Sequence, residues 1–178
     1  MPTEPKADDT KKLCVRSIEL MASGTLAEFA EVIHPQAANR EAKDEPPAAR
    51  GVGPAAYFAT AEWLRGAYAE LAWEIHDAVT EGDLVALHAT MSGRHVGPFI
   101  TYGPDGLPSQ VFPPTRKRFA ATQTHWFRVA DGLVIEHWAN RDDNGQAMQL
   151  GWLPPSPAYL VRMLLATRKA KRRQIDYS

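Results

Sequence analysis

The feature that most constrains this chain is a change of hydrophobic period at Glu70. Before it, apolar residues recur at the three- and four-residue steps of amphipathic helices; after it they alternate, as strands require. From Thr10 to Met21, Leu13, Cys14, Ile18 and Met21 share one helical face. Thr25 and Glu28 have the spacing of a capping box. They open a second helix whose buried face is Leu26, Phe29, Ala30 and Ile33, and His34-Pro35 ends it. Ala37 to Val52 is polar, carries Pro46-Pro47 and reads as a loop. Pro54 suits the first turn of a third helix, along which Tyr57, Ala61, Leu64 and Tyr68 are aligned.

Past Glu70, Leu71, Trp73, Ile75 and Val79 form the apolar side of a strand interrupted only by Asp77. Glu81-Gly82-Asp83 is a tight turn. The next strand, Leu84 to Val96, carries Val85, Leu87, Ala89 and Met91 on one side. Gly97 to Thr115 is rich in Gly and Pro and reads as a long loop. Its Phe99, Ile100, Tyr102, Leu107 and Phe112 are many apolar residues for an exposed loop. They cover either a pocket mouth or a C-terminal helix. Strands from Lys117 to Ala130 and from Leu133 to Asp142 flank the hairpin signal Asp131-Gly132. Helices first and a strand meander after them define an α+β fold. After Pro154-Pro155, Ser156 and Pro157 start a last helix. Its stripe of Tyr159, Leu160, Met163 and Leu164 is expected to lie on the body or on a partner subunit, with its basic end free in water.

Composition narrows the function. A chain of 178 residues with 44% hydrophobic and 23% charged residues fits one globular domain. Its single cysteine, Cys14, excludes an internal disulfide framework and reads as a small buried hydrophobe. The formal charge of −1 argues against nucleic acid as a partner. Six basic and no acidic residues between Arg162 and Arg173 leave −7 on the rest, so a polyanion would be repelled by the body. No apolar run approaches the ~20 residues of a membrane span, and Met1 to Lys12 is polar; a cytoplasmic protein with no membrane partner is expected. The histidines show no metal-binding spacing, and no phosphate loop or nucleophile elbow occurs, so no metal and no cofactor are expected.

The segment richest in chemistry is the final hairpin. With Asp131-Gly132 as a two-residue turn, His125 opposes Trp138 and Gln123 opposes Asn140. Alternation then puts Gln123, His125, Phe127 and Val129 on one face with Val134, Glu136, Trp138, Asn140 and Asp142. Apolar toward the turn and polar away from it, that face is written like a ligand pocket. The other face, with Trp126, Ile135, His137 and Ala139, becomes an interface. A slip of one residue would exchange the two faces.

Several short motifs occur in a characteristic order: His34-Pro35 with Asn39, Gly53-Pro54, Leu71-Ala-Trp-Glu-Ile75, Glu81-Gly-Asp83, Gly93-Arg-His-Val-Gly97, Pro113-Pro-Thr115, Asp131-Gly132, Glu136-His-Trp138, Asp142 with Gly145, and Gln149-Leu-Gly151. In them the chain resembles the SnoaL-like polyketide cyclases, also called ester cyclases, of the nuclear transport factor two-like superfamily. The resemblance covers residues 11–152, leaving 1–10 as a flexible N-terminus and 153–178 as a helical extension with a basic end. It implies a cone: a curved antiparallel or mixed sheet wrapped on the N-terminal helices, enclosing a pocket, with homodimers formed through the outer sheet face. It also implies intramolecular aldol cyclisation by acid–base residues. His125 matches the histidine of the penultimate strand, and Asp142 matches the acid before the final Gly, so these are the catalytic candidates, with Asp142 as base. Trp138, Asn140, Gln123, Phe127, His34 and Asn39 are the candidates for the substrate pocket. Ala139 stands where many such cyclases carry an acid.

Three readings follow. The first is a cofactor-free acid–base enzyme on a hydrophobic carbonyl substrate. The second is an epoxide hydrolase on the same fold, using Arg141-Asp142-Asp143. The third is a non-catalytic dimeric protein that binds a hydrophobic small molecule.

Overall fold

Helix α1 (Ala7–Ser23) carries Asp8 and Asp9 in its first turn, where carboxylates offset the positive end of the helix dipole. The computed structural model describes residues 7–175, so part of the segment expected to be flexible is helical; residues 1–6 lie outside the described ones. Helix α2 (Leu26–Val32) opens with the expected capping box: Thr25 Oγ1 accepts from the Glu28 amide, and the Glu28 carboxylate accepts from the Thr25 amide at 2.9 Å. Arg65 on helix α3 (Pro54–Ala67) donates to the carbonyls of Leu20, Met21 and Gly24. These bonds tie the last turn of α1, and the Gly24 that follows it, to α3.

The second helix, expected to include Ile33 and to end at His34-Pro35, stops at Val32, and a strand takes its last residues and the start of the loop expected from Ala37. β1 (Ile33–Asn39) runs parallel to β7 (Leu133–Arg141) at one edge of a five-stranded sheet. The sheet continues antiparallel through β6 (Arg118–Ala130), β3 (Leu84–His95) and β2 (Tyr68–Glu81), in the order β1-β7-β6-β3-β2. β1 has only scattered apolar residues because one face alone is covered, and its periodicity is too short to stand out. In β2 a bulge between Ile75 and Asp77 corrects the expected alternation. Ala78 turns inward, and Val79 is turned out to solvent.

Residues 97–115 are not a plain loop. β4 (Phe99–Tyr102) and β5 (Pro108–Phe112) form a separate hairpin. Both expected contacts exist, one on each side of it. Phe99 and Phe112 stack toward Trp152, while the Val111 amide donates to Thr167 Oγ1 on helix α5 (Pro157–Ile175). Helix α5 lays only part of its stripe on the body. Tyr159 and Met163 are buried on the body, but Leu160 and Leu164 face solvent. A short helix that the hydrophobic pattern does not announce, α4 (Asp143–Leu150), precedes α5 and ends at Gly151 in the left-handed conformation.

Two hydrophobic cores result. Cys14, Ile18, Phe29, Ile33, Tyr57, Leu87 and Phe127 join the helices to one half of the sheet. Tyr68, Met91, Phe119, Leu150, Trp152 and Met163 close the other half under α4 and α5. Trp73 packs against both. Gly53, at the start of α3, holds φ at +80, and a Cβ there would lie 2.6 Å from the Pro35 carbonyl oxygen. Gly53→Ala should therefore destabilise the fold by more than about 1 kcal/mol in chemical denaturation. A smaller loss would show that the turn from β1 into α3 relaxes freely.

Candidate active site

A cavity of about 350 Å³ opens between the two cores. Its wall is largely aromatic, with Trp63, Tyr68, Trp73, Phe99, Phe112 and Trp152. Its polar residues include Asn39 at the end of β1, Glu41, Asp44 and Glu45 just after it, Thr60 on α3, Gln123 and His125 on β6, His137 and Arg141 on β7, and Asp143 and Gln146 on α4.

The arrangement of β6 and β7 departs from the expected register. Ala130 faces Leu133 and Val129 faces Val134 as read from the turn, but the next pair is Arg128 with Glu136. Ile135 is the extra residue of a bulge, and beyond it every β7 side chain changes face. His125 therefore opposes Ala139, and Gln123 opposes Arg141. His137 turns into the cavity. Trp138 and Asn140, expected in the pocket, stand on the outer face; there Trp138 stacks on Trp126 with planes 5° apart.

The inward residues form one chain of hydrogen bonds. Gln123 Oε1 lies 2.8 Å from His125 Nε2, His125 Nδ1 lies 3.0 Å from His137 Nε2, and His137 Nδ1 lies 3.0 Å from Asn39 Oδ1. Both ends are fixed as acceptors by groups that can only donate. The Trp73 indole gives its proton to Gln123 Oε1 at 3.1 Å, and the Glu41 amide gives its own to Asn39 Oδ1 at 3.1 Å. Three links thus need three protons, whereas two neutral imidazoles supply two. Burial, with Arg141 nearby, pushes His125 down to about 4; burial, with His125 and Arg141 nearby, holds His137 well below the usual histidine range. At rest the pair is neutral and one link lacks its proton. The pair can take up one proton and complete every link without moving a side chain.

Of the expected site residues, the fold brings His125, Gln123 and Asn39 together on the cavity wall. Phe127 is buried under the histidines, its ring 5.0 Å from that of His137, in the core and not on the wall. His34 is half-buried on β1 and accepts from the Gln36 amide, away from the lining. Asp142 caps α4, its carboxylate accepting from the Gly145 amide at 2.8 Å, and it does not line the cavity. Its neighbours do: Arg141 pairs with Glu41 and Asp143 at the rim. Arg141, Asp142 and Asp143 therefore do not enter one pocket together. Sequence reading missed His137, because the bulge that turns it inward leaves no mark in the alternation. It missed Glu45 because that residue sits in a polar stretch before Pro46-Pro47.

Comparison with known proteins matches residues 12–150 to the family model for SnoaL-like polyketide cyclases. Aklanonic acid methyl ester cyclase DnrD of Streptomyces peucetius is 32% identical over 143 residues, covering 80% of this chain and 90% of DnrD. Nogalonic acid methyl ester cyclase of Streptomyces nogalater is 32% identical over 100 residues, 56% of this chain and 67% of that protein. The solved structure of TsrD from Streptomyces laurentii superposes with a TM-score of 0.64 at 25% identity, covering 83% of this chain and 98% of TsrD. The curved, unclosed mixed sheet over helices is the nuclear transport factor two-like architecture.

The buried pair ties stability to pH. An unfolded chain protonates its histidines near 6.5, whereas the folded His125 does so only near about 4. Between these values the unfolded state binds more protons, so stability should fall as the pH drops through that window. Denaturation midpoints between pH 7 and pH 4 check this, and His125→Gln should flatten the slope. An equal slope in wild type and variant would show that His125 is not held neutral by the fold.

Proposed function

The chain belongs to the SnoaL-like polyketide cyclase family, and we propose that it closes a ring in a hydrophobic polyketide ester by acid–base chemistry, without metal or organic cofactor. The observation that carries this reading is an aromatic cavity whose polar wall is a buried histidine pair able to accept one proton. The cavity is of the size that small-molecule sites occupy. Its six aromatic rings suit a flat, fused-ring substrate. The relatives' names specify aklanonic and nogalonic acid methyl esters, so a polycyclic methyl ester is the substrate class.

Aldol closure needs a proton removed from carbon beside a carbonyl, a developing negative oxygen stabilised, and a proton delivered to the new alkoxide. His125 takes the first proton at Nε2 as the substrate displaces its 2.8 Å link to Gln123, and the charge is shared with His137 through the 3.0 Å link. The amide nitrogen of Asn39 has no protein partner among the described residues. With Gln123 it can donate to the enolate oxygen. Asp142, spent on its helix cap, carries no proton in this scheme. Ala139, directly across from His125, favours one competing reading, a protein that binds the ligand without converting it.

Residues 11–152 form the catalytic unit in this reading, and helix α5 of the extension backs the β4–β5 hairpin. Cytoplasmic placement accords with the lone reduced thiol of Cys14. Among the described residues no helix is long and apolar enough to cross a membrane. A homodimer forms through the outer sheet face, where Trp126 and Trp138 stack and Arg40 lies 5.1 Å over Trp138. Light scattering should give twice the 19.7 kDa of one chain, and Trp138→Glu should reduce it; a strict 19.7 kDa species at micromolar concentration would overturn the dimer.

The chemistry is tested by incubating the protein with aklanonic acid methyl ester and following ring closure chromatographically. His125→Asn should lower kcat/KM by about 100-fold or more. Tight binding by the wild type with no conversion would establish the non-catalytic reading instead.

A further inference from the structure

We propose that Glu45 is the catalytic acid that delivers a proton to the substrate oxygen as the ring closes, an inference that rests on the cyclase reading above. Four acidic residues line the cavity: Glu41, Asp44, Glu45 and Asp143. Asp44 and Asp143 are exposed, and Glu41 and Asp143 are both paired with Arg141. Glu45 alone is buried, at 4% exposure.

Its two carboxyl oxygens have different surroundings. Oε2 lies 2.5 Å from Thr60 Oγ1 on α3. Among the described residues, no hydrogen bond or ion pair reaches Oε1. Arg50 is five residues away and could have neutralised the carboxylate, but its Nε donates to the Glu45 backbone carbonyl at 3.0 Å. Arg141, across the cavity on β7, is engaged by Glu41 and Asp143. A carboxylate removed from water with no bonded cation is costly, and the group avoids that cost by keeping its proton. Burial accordingly pushes Glu45 above the usual carboxylate range, against the opposing pull of Thr60, Arg141 and, least, Arg50.

A purely structural role does not account for this arrangement. The Thr60 bond needs one oxygen, and a glutamine would fill the same volume and keep it. Oε1 is surplus to the fold, and Glu45 lines the same cavity as Asn39, His125 and His137. Glu45 and Asn39 are placed by the same short connection, since the Glu41 amide that binds Asn39 lies one residue before the turn Ala42–Asp44, and the Glu45 amide closes that turn.

The step balances without any further reactant. A bond forms between the deprotonated carbon and the carbonyl carbon, and the carbonyl π pair moves onto oxygen. That oxygen takes the proton from Glu45, while the histidine pair holds the proton lost by carbon. Return of that proton from His125 to Glu45 through the cavity restores the resting state, and the substrate has only been isomerised. Burial lowers the proton affinity of His125 and raises that of Glu45, so the proton returns from the histidine to the carboxylate in the favoured direction.

The test compares wild type, Glu45→Gln and Glu45→Asp on aklanonic acid methyl ester, after equal melting temperatures establish that each is folded. Glu45→Gln should lower kcat by about 100-fold or more with KM unchanged, and should abolish the loss of rate at alkaline pH that marks a required acid. Glu45→Asp should recover part of the rate. Wild-type kcat in Glu45→Gln would overturn the assignment. If the wild type converts none of the ester, the cyclase reading falls. The acid is then judged separately by infrared difference spectra of wild type against Glu45→Gln at neutral pH. A protonated-carboxyl band lost in the variant supports a resident acid at this site; its absence overturns one.

Discussion

One extra residue in β7 decides what the cavity is made of. Without the bulge at Ile135, the strand would present Glu136, Trp138 and Asn140 inward and leave His137 on the outside. With it, a charged side chain, a large ring and an amide are exchanged for an imidazole, a methyl group and a guanidinium. His137 and Arg141 thereby line the cavity, and the displaced tryptophan becomes the stack on the outer face with Trp126. The two functions of the sheet, enclosing a site on one side and offering a flat aromatic surface on the other, follow from the same local insertion.

The cavity survives as empty space because it lies between two cores and not inside one. The first core is closed by α1, α2 and α3, which precede the antiparallel strands in sequence, the second by α4 and α5, which follow them. Trp73 belongs to the edge of both and donates to Gln123, so the junction of the cores is also the anchor of the hydrogen-bonded chain. On the open side, the β4–β5 hairpin is held from behind by the Thr167 contact and by the Tyr159 hydroxyl, which donates to the Pro113 carbonyl at 2.8 Å. The extension after Pro154-Pro155 thereby fixes part of the aromatic wall without touching the polar one.

Much of the fold was legible in the residues. Thr25 with Glu28, Pro54 with its aligned aromatics, and the strict alternation from Phe119 to Val129 announce their elements because each is repeated or chemically specific. β1 was not legible, since Ile33-His-Pro-Gln-Ala-Ala-Asn39 has no alternation to read and owes its strand to a neighbour more than ninety residues away. Within the site, His125, Gln123 and Asn39 were recoverable from the strand pattern and the family motifs. His137 and Glu45 were not. A bulge is set by tertiary twist, and a buried acid in a polar connection looks like any solvated one until its surroundings are known.

The proton count of the site is set by two groups that touch neither histidine. An indole and a backbone amide cannot accept, and they turn the oxygens of Gln123 and Asn39 toward the imidazoles. A chain with phenylalanine in place of Trp73 could keep the same outline, the same histidines and the same distances. Its glutamine, however, would be free to rotate and offer a donor where this one offers an acceptor. The missing proton would then be supplied from within, and a cavity of identical shape would hold a saturated network with no place for a substrate's proton. Likeness of form in such sites is therefore a poor guide to likeness of reaction, because the deciding property is the polarity of an amide that both forms contain.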